Sequence, residues 1–150
     1  MKESVFIGKF VKDGEEVFEG VLFAAFNGVL TGIKKHGFSI SLNTRKPSDV
    51  SNYLNLGSNI LNMIKGKHSV PKLIRDTLEE CSEYSCAFEK LKNTELTAPA
   101  YFTIAGMHNN EGAVISRDPT SIANLRTLDD NWYVIQTNED IFEGKCTARC

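Results

Sequence analysis

The sequence predicts an α+β domain, and three observations lead there. Both ends are rich in β-branched and aromatic runs, the middle carries apolar residues at helical spacing, and no internal repeat or Ser/Pro/Gly linker divides the 150 residues. Strands followed by helices and then strands again describe one sheet with a helical layer, not alternating βαβ units.

Residues 5–11 and 17–26 are two apolar runs joined across Asp13-Gly14, a pair suited to a hairpin turn, so they are expected to pair. Val29-Leu30 continues the strand region. Phe38-Ser39-Ile40-Ser41-Leu42 then alternates apolar and small polar residues as a half-buried strand does, leaving Ser39, Ser41 and Asn43 on its polar side.

Three helices are predicted next. Ser48 is the expected N-cap of the first, whose apolar positions Val50, Tyr53, Leu54, Gly57, Leu61 and Ile64 recur three or four apart before Gly66 ends it. Ser69-Val70-Pro71 opens the second, with Leu73, Ile74, Thr77, Leu78 and Cys81 as its inner stripe. Ser82 is the expected cap of the third, which carries Tyr84, Ala87, Phe88 and Leu91 on one side. Each stripe covers a single face, so the helices should lie on a sheet as a layer. Strands are expected again over 101–105, 113–117, 122–128 and 132–137, with turns at 108–112 and 129–131.

Composition excludes several classes. The chain is 41% hydrophobic and 24% charged, enough for a core and too ordered in pattern for disorder, and its formal net charge of -2 with scattered lysines and arginines gives no nucleic-acid footprint. No apolar run approaches the ~20 residues of a membrane-spanning helix, and Met1-Lys2-Glu3-Ser4 does not open a signal peptide. A secreted or lysosomal parent would carry its targeting segment upstream. Cys81, Cys86, Cys146 and Cys150 permit three pairings, and their spacing is not that of a zinc knuckle. A local Cys81–Cys86 disulfide across a helix junction and two buried thiols both fit. No Asn-x-Ser/Thr sequon occurs. His36, His68 and His108 are isolated and read as loop residues.

The most informative stretch is the last third. Ala98-Pro99-Ala100-Tyr101-Phe102, Glu111-Gly112-Ala113-Val114-Ile115-Ser116-Arg117-Asp118 and Trp132-Tyr133-Val134-Ile135-Gln136-Thr137-Asn138-Glu139-Asp140 resemble the corresponding run of the acid ceramidase family, which includes the N-acylethanolamine-hydrolysing acid amidases. Thr31-Gly32, Phe38 to Asn43, and Arg75, Thr77, Leu78 and Glu79 extend the resemblance upstream, in order and in spacing. Acid ceramidase is the nearer of the two.

The resemblance implies part of the four-layer αββα sandwich of N-terminal nucleophile hydrolases. Residues 1–150 would form a single domain segment from the central part of the catalytic domain, incomplete at both ends. It implies hydrolysis of a lipid amide by a cysteine nucleophile, with no cofactor and no metal. The partners implied are the lipid amide, a second subunit of the same precursor and membrane-surface lipid, in a lysosomal or secreted setting.

Amide hydrolysis requires an activated nucleophile, a proton for the leaving amine and donors for the tetrahedral oxyanion. The family's Thr-Asn-x-Asp motif supplies one such donor through its asparagine, here Asn138. An uncharged amide donates two hydrogen bonds at any protonation state of its surroundings. Asp140 is expected to orient the loop, and Arg117 to be structural.

Other motifs depart from the family. Its nucleophilic cysteine and the Gly-Arg-Asn-x-Asp run that follows are not in this chain, Thr44 stands where the family places a glutamate, and its Asp-Asp-Arg-Arg run is replaced by Ile141-Phe142-Glu143-Gly144-Lys145-Cys146. Arg149 is a shifted candidate for that run. Cys146-Thr147 resembles the start of the family's catalytic subunit, but its position downstream of the other motifs argues against equating them. Phe23, Phe26, Phe38 and Tyr101 are candidates to line an acyl channel, with core packing as the competing role. A non-catalytic relative that binds lipid or a partner is the reading from another class, motivated by Thr44 and the missing nucleophile.

Overall fold

The computed structural model describes residues 4–45, 52–129 and 131–140. Seven strands form one antiparallel sheet in sequential order: β1 (Val5–Lys12), β2 (Glu15–Phe23), β3 (Thr31–Lys34), β4 (Phe38–Thr44), β5 (Ala100–Gly106), β6 (Gly112–Arg117) and β7 (Ile122–Thr127). Three helices, α1 (Asn52–Ile64), α2 (Val70–Glu80) and α3 (Tyr84–Asn93), are inserted between β4 and β5. The expected α+β arrangement is present.

Turn chemistry explains the meander. The β1–β2 hairpin closes through Asp13 and Gly14, both at positive φ (54° and 86°), the conformation that lets a two-residue turn follow the strand twist. The second strand ends earlier than expected, at Phe23, because Ala25 adopts φ 65° and the backbone turns there. The third begins at Thr31, after Val29-Leu30. His36 (φ 58°) and Asn110 (φ 67°) make the turns before β4 and β6.

Pairing register sorts the side chains onto two faces. Leu42, Phe102 and Ile115 share one row, and Ile40, Ile104 and Ala113 the next; these face the helices. Leu73, Ile74, Thr77 and Leu78 of α2 and Ala87 and Leu91 of α3 complete the core, as their spacing predicted. The opposite face carries the row Asn43, Tyr101, Ser116 and Asn124, and beside it Ser41, Thr103, Val114 and Arg126.

Three expectations need correction. Glu83, not Ser82, stands at the N-cap position of the third helix, and its side chain makes no capping bond. The stripe of α1 is not an inner one, since Leu61 and Ile64 are exposed with Leu56, Ile60 and Met63, and Ile64 is 76% exposed. A 3.6-residue period shows that a helix is two-sided without showing that anything covers the apolar side. Residues 132–137 form no strand. Trp132 is 90% exposed, and the Ile135 carbonyl accepts a hydrogen bond from the Arg126 guanidinium (2.7 Å) in place of a ladder bond. The Ser48 cap and the apolar position Val50 lie outside the described residues.

At the junction of α2 and α3, Cys81 and Cys86 are joined by a disulfide with Cα atoms 5.6 Å apart. It resolves the choice between a local bridge and free thiols.

Candidate active site

Residues 132–140 run as a strap across the second face of the sheet, from β7 towards β4. Arg126 on β7 donates to the Ile135 carbonyl and to the Gln136 side chain, and Gln136 in turn donates to the carbonyls of Thr137 (2.7 Å) and Glu139 (2.9 Å). The far end of the strap is fixed by charge. Arg45, just past β4 and 7% exposed, donates through Nε and Nη2 to the two oxygens of Asp140 (2.8 and 2.9 Å). Its Nη1 donates to Asp118 Oδ1 (2.5 Å) and to the Arg117 carbonyl (3.4 Å). The Tyr101 hydroxyl donates to Asp140 Oδ1 at 2.5 Å.

The electrostatics follow from these contacts. Burial opposes charge on Arg45, but its bonds to Asp140 and Asp118 outweigh this and hold the guanidinium above its ordinary range. Asp140 shows the mirror image: burial would raise its carboxyl, and the bonds from Arg45 and Tyr101 carry it below the ordinary value. Burial and the adjoining Asp140 carboxylate push the Tyr101 phenol up. Asp140 is thus held ionised with both oxygens occupied. Such a carboxylate suits orienting the strap better than proton transfer.

Asn138 lies two residues before Asp140, on the exposed side of the strap. Its Oδ1 accepts a hydrogen bond from Asn43 Nδ2 at 3.1 Å. That bond engages the amide oxygen and not the amide nitrogen. An oxyanion donor requires this kind of presentation by a fixed segment.

Arg117 has the structural place expected of it. Buried on the helix side, its guanidinium donates to the carbonyls of Ser121 (3.1 Å), Leu91 (2.5 Å) and Thr94 (2.8 Å), and so ties the end of α3 to β6. Thr44, in the position of the family glutamate, is exposed at the end of β4. Phe38 belongs to the core and Tyr101 to the Asp140 network, whereas Phe23 and Phe26 are at the surface. His36, His68 and His108 occupy separate turns and loops, and the described residues hold no cluster of metal ligands. Cys146 and Arg149 lie outside the described residues.

Sequence reasoning missed Arg45, Asn43 and the Tyr101 hydroxyl as parts of this site. A signal was present in Arg45, a charged residue at the end of a strand whose neighbours in the sheet end near Asp118 and Tyr101. Only the pairing register turns that into proximity.

One antiparallel sheet with helices on one face and a pinned strap on the other is half of the layered sandwich of N-terminal nucleophile hydrolases. Comparison with known proteins bears this out. The solved *Caenorhabditis elegans* N-acylethanolamine-hydrolyzing acid amidase (NAAA) ortholog superimposes with a TM-score of 0.83 at 34% identity, over 95% of this chain and 60% of that one. The curated *Caenorhabditis elegans* N-acylethanolamine-hydrolyzing acid amidase is 37% identical over 139 residues, 87% of this chain and 37% of its own length. The *Homo sapiens* acid ceramidase is 38% identical over 137 residues, 87% of this chain and 33% of its own. No protein-family model matches. Over most of its length the chain is similar to the acid ceramidases and N-acylethanolamine acid amidases. It spans about a third of the length of the curated relatives it matches.

Proposed function

We propose that this chain is one segment of a cysteine amidohydrolase that cleaves the amide of N-acylsphingosine to a fatty acid and a sphingoid base, with Asn138 donating to the oxyanion. The observation that carries the reading is the strap, which Arg45, Tyr101 and Arg126 pin over the sheet with Asn138 exposed and its amide oxygen held by Asn43. The nucleophile and the proton shuttle would come from a second segment of the same precursor, since Asn138 alone forms no acyl-enzyme.

A lipid surface is part of the same reading. Helix α1 carries no charged residue over Asn52–Ile64, exposes Leu56, Ile60, Leu61, Met63 and Ile64, and is followed by Lys65 and Lys67. Apolar side chains bordered by lysines suit the boundary between acyl chains and headgroups. The setting would be lysosomal or secreted, and the Cys81–Cys86 disulfide accords with an oxidising compartment.

N-acylethanolamine is the second reading of the substrate. Identities of 37% to the acid amidase and 38% to the ceramidase favour neither. The motifs around Tyr101 and Tyr133 are nearer to ceramidase. The test is turnover of ceramide and of an N-acylethanolamine by the complete protein carrying this segment. Faster cleavage of ceramide, with Asn138→Ala lowering acylation by about 10²–10³ and leaving stability nearly unchanged, supports the reading. Preference for the ethanolamide replaces the substrate, and a complete protein that binds either lipid without cleaving it makes this a binding relative.

A further inference from the structure

The geometry points to Asn43 as a positioning residue that sets which way the Asn138 amide faces, so that its NH2 group and not its oxygen is offered to the developing oxyanion. The inference rests on the reading of Asn138 as the oxyanion donor and adds the device that makes it one.

Two rungs join β4 to the strap. Asn43 meets Asn138 and Arg45 meets Asp140, each pair 95 positions apart, so the two rungs are offset by two residues on both sides. They do different work. The Arg45 rung is charged, bidentate and reinforced by Tyr101, and it fixes where the strap lies. It says nothing about rotation of an amide two residues away. A primary amide can turn by half a revolution with little change of shape, exchanging a donor for an acceptor at the same place. At an oxyanion that exchange converts attraction into repulsion.

Asn43 decides the exchange through its Nδ2, which donates to Asn138 Oδ1 at 3.1 Å. Once that oxygen is engaged by β4, the Asn138 NH2 is the end that points away from the sheet. Asn43 is suited to hold this orientation because it stands inside a ladder, paired with Tyr101 of β5, at the last but one position of its strand. Preorganised donors are effective because they need no reorientation as charge develops.

The test has a spectroscopic and a kinetic arm. In isotopically labelled chain 1–150, the expected signature is a scalar coupling across the hydrogen bond from Asn43 Nδ2 to the Asn138 side-chain carbonyl carbon. Coupling in the reverse sense, or none, overturns the inference whatever the activity. In the complete protein, Asn43→Asp replaces the donor with an acceptor-only group and draws the Asn138 NH2 inward. We expect kcat to fall about 10²-fold with KM within about twofold, and Asn43→Ala, which frees the amide without reversing it, to cost about tenfold. Both variants should keep the melting temperature of the parent to within a few degrees.

The outcomes separate cleanly. If Asn138→Ala impairs acylation while both Asn43 variants keep full kcat, the positioning role is wrong and the donor stands. If Asn138→Ala is without effect, the donor reading falls and this inference with it.

Discussion

Arg45 and Asp140, 95 residues apart in sequence, meet through two parallel hydrogen bonds of 2.8 and 2.9 Å in a setting where both side chains are at least nine-tenths buried. The pair is the fastening of the strap. Removing one partner of such a pair leaves an uncompensated charge, and that cost, not the net strength of the pair, sets what a mutation does.

Asp140→Ala should therefore destabilise the fold by about 3–5 kcal/mol and release the strap. Denaturant unfolding of the chain measures the loss. Activity of the complete protein should fall with it, in contrast to Asn138→Ala, which leaves stability nearly intact. Equal stability for wild type and Asp140→Ala would show that the strap is fastened elsewhere.

The same pair dictates a pH dependence. In the unfolded chain Asp140 titrates near its ordinary value of about 3.9, and in the fold its carboxyl lies lower because Arg45 and Tyr101 donate to it. A depressed pKa contributes stability that is fully present above the unfolded value and is lost as pH falls through the folded one. The stability gap between wild type and Asp140→Asn should be constant from pH 7 to 5 and close below about pH 4. Urea midpoints across that range check it. A gap that closes near neutrality would assign the effect to another group.

Arg117→Met should cost about 3 kcal/mol, since it removes the donors held by the Leu91, Thr94 and Ser121 carbonyls while keeping much of the side-chain volume. Arg117→Lys should rescue little. A single ammonium cannot span three carbonyls that a planar guanidinium reaches in different directions. Hydrogen exchange at the end of α3 should rise in both variants, and protection unchanged there would contradict the tether.

Replacing Cys81 and Cys86 together with serine should lower stability by about 2 kcal/mol, the size expected for a short closed loop. The fold should survive, because α2 and α3 are also held by Leu73, Leu78, Ala87 and Leu91 in the core. Thermal unfolding with and without reductant provides the comparison. A wild type insensitive to reductant would show that the bridge constrains little.

Much of this molecule was determined by sequence alone, wherever the cause is local. Asp13-Gly14 makes its turn because two residues at positive φ do so anywhere, and the stripe from Leu73 to Cys81 marks a helix whatever it packs on. The run from Trp132 to Asp140 carries the family, because a motif is a property of order along the chain. What tertiary structure decided are the relations between distant positions. Nothing in the order of residues says that the strand expected over 132–137 gives way to a strap held by Arg126, that Leu61 and Ile64 of α1 stay exposed, or that Arg45 reaches Asp118 and Asp140. Those outcomes depend on sheet register and on which buried charge can reach which carboxylate. A period or a propensity, being a sum over neighbours in sequence, contains neither.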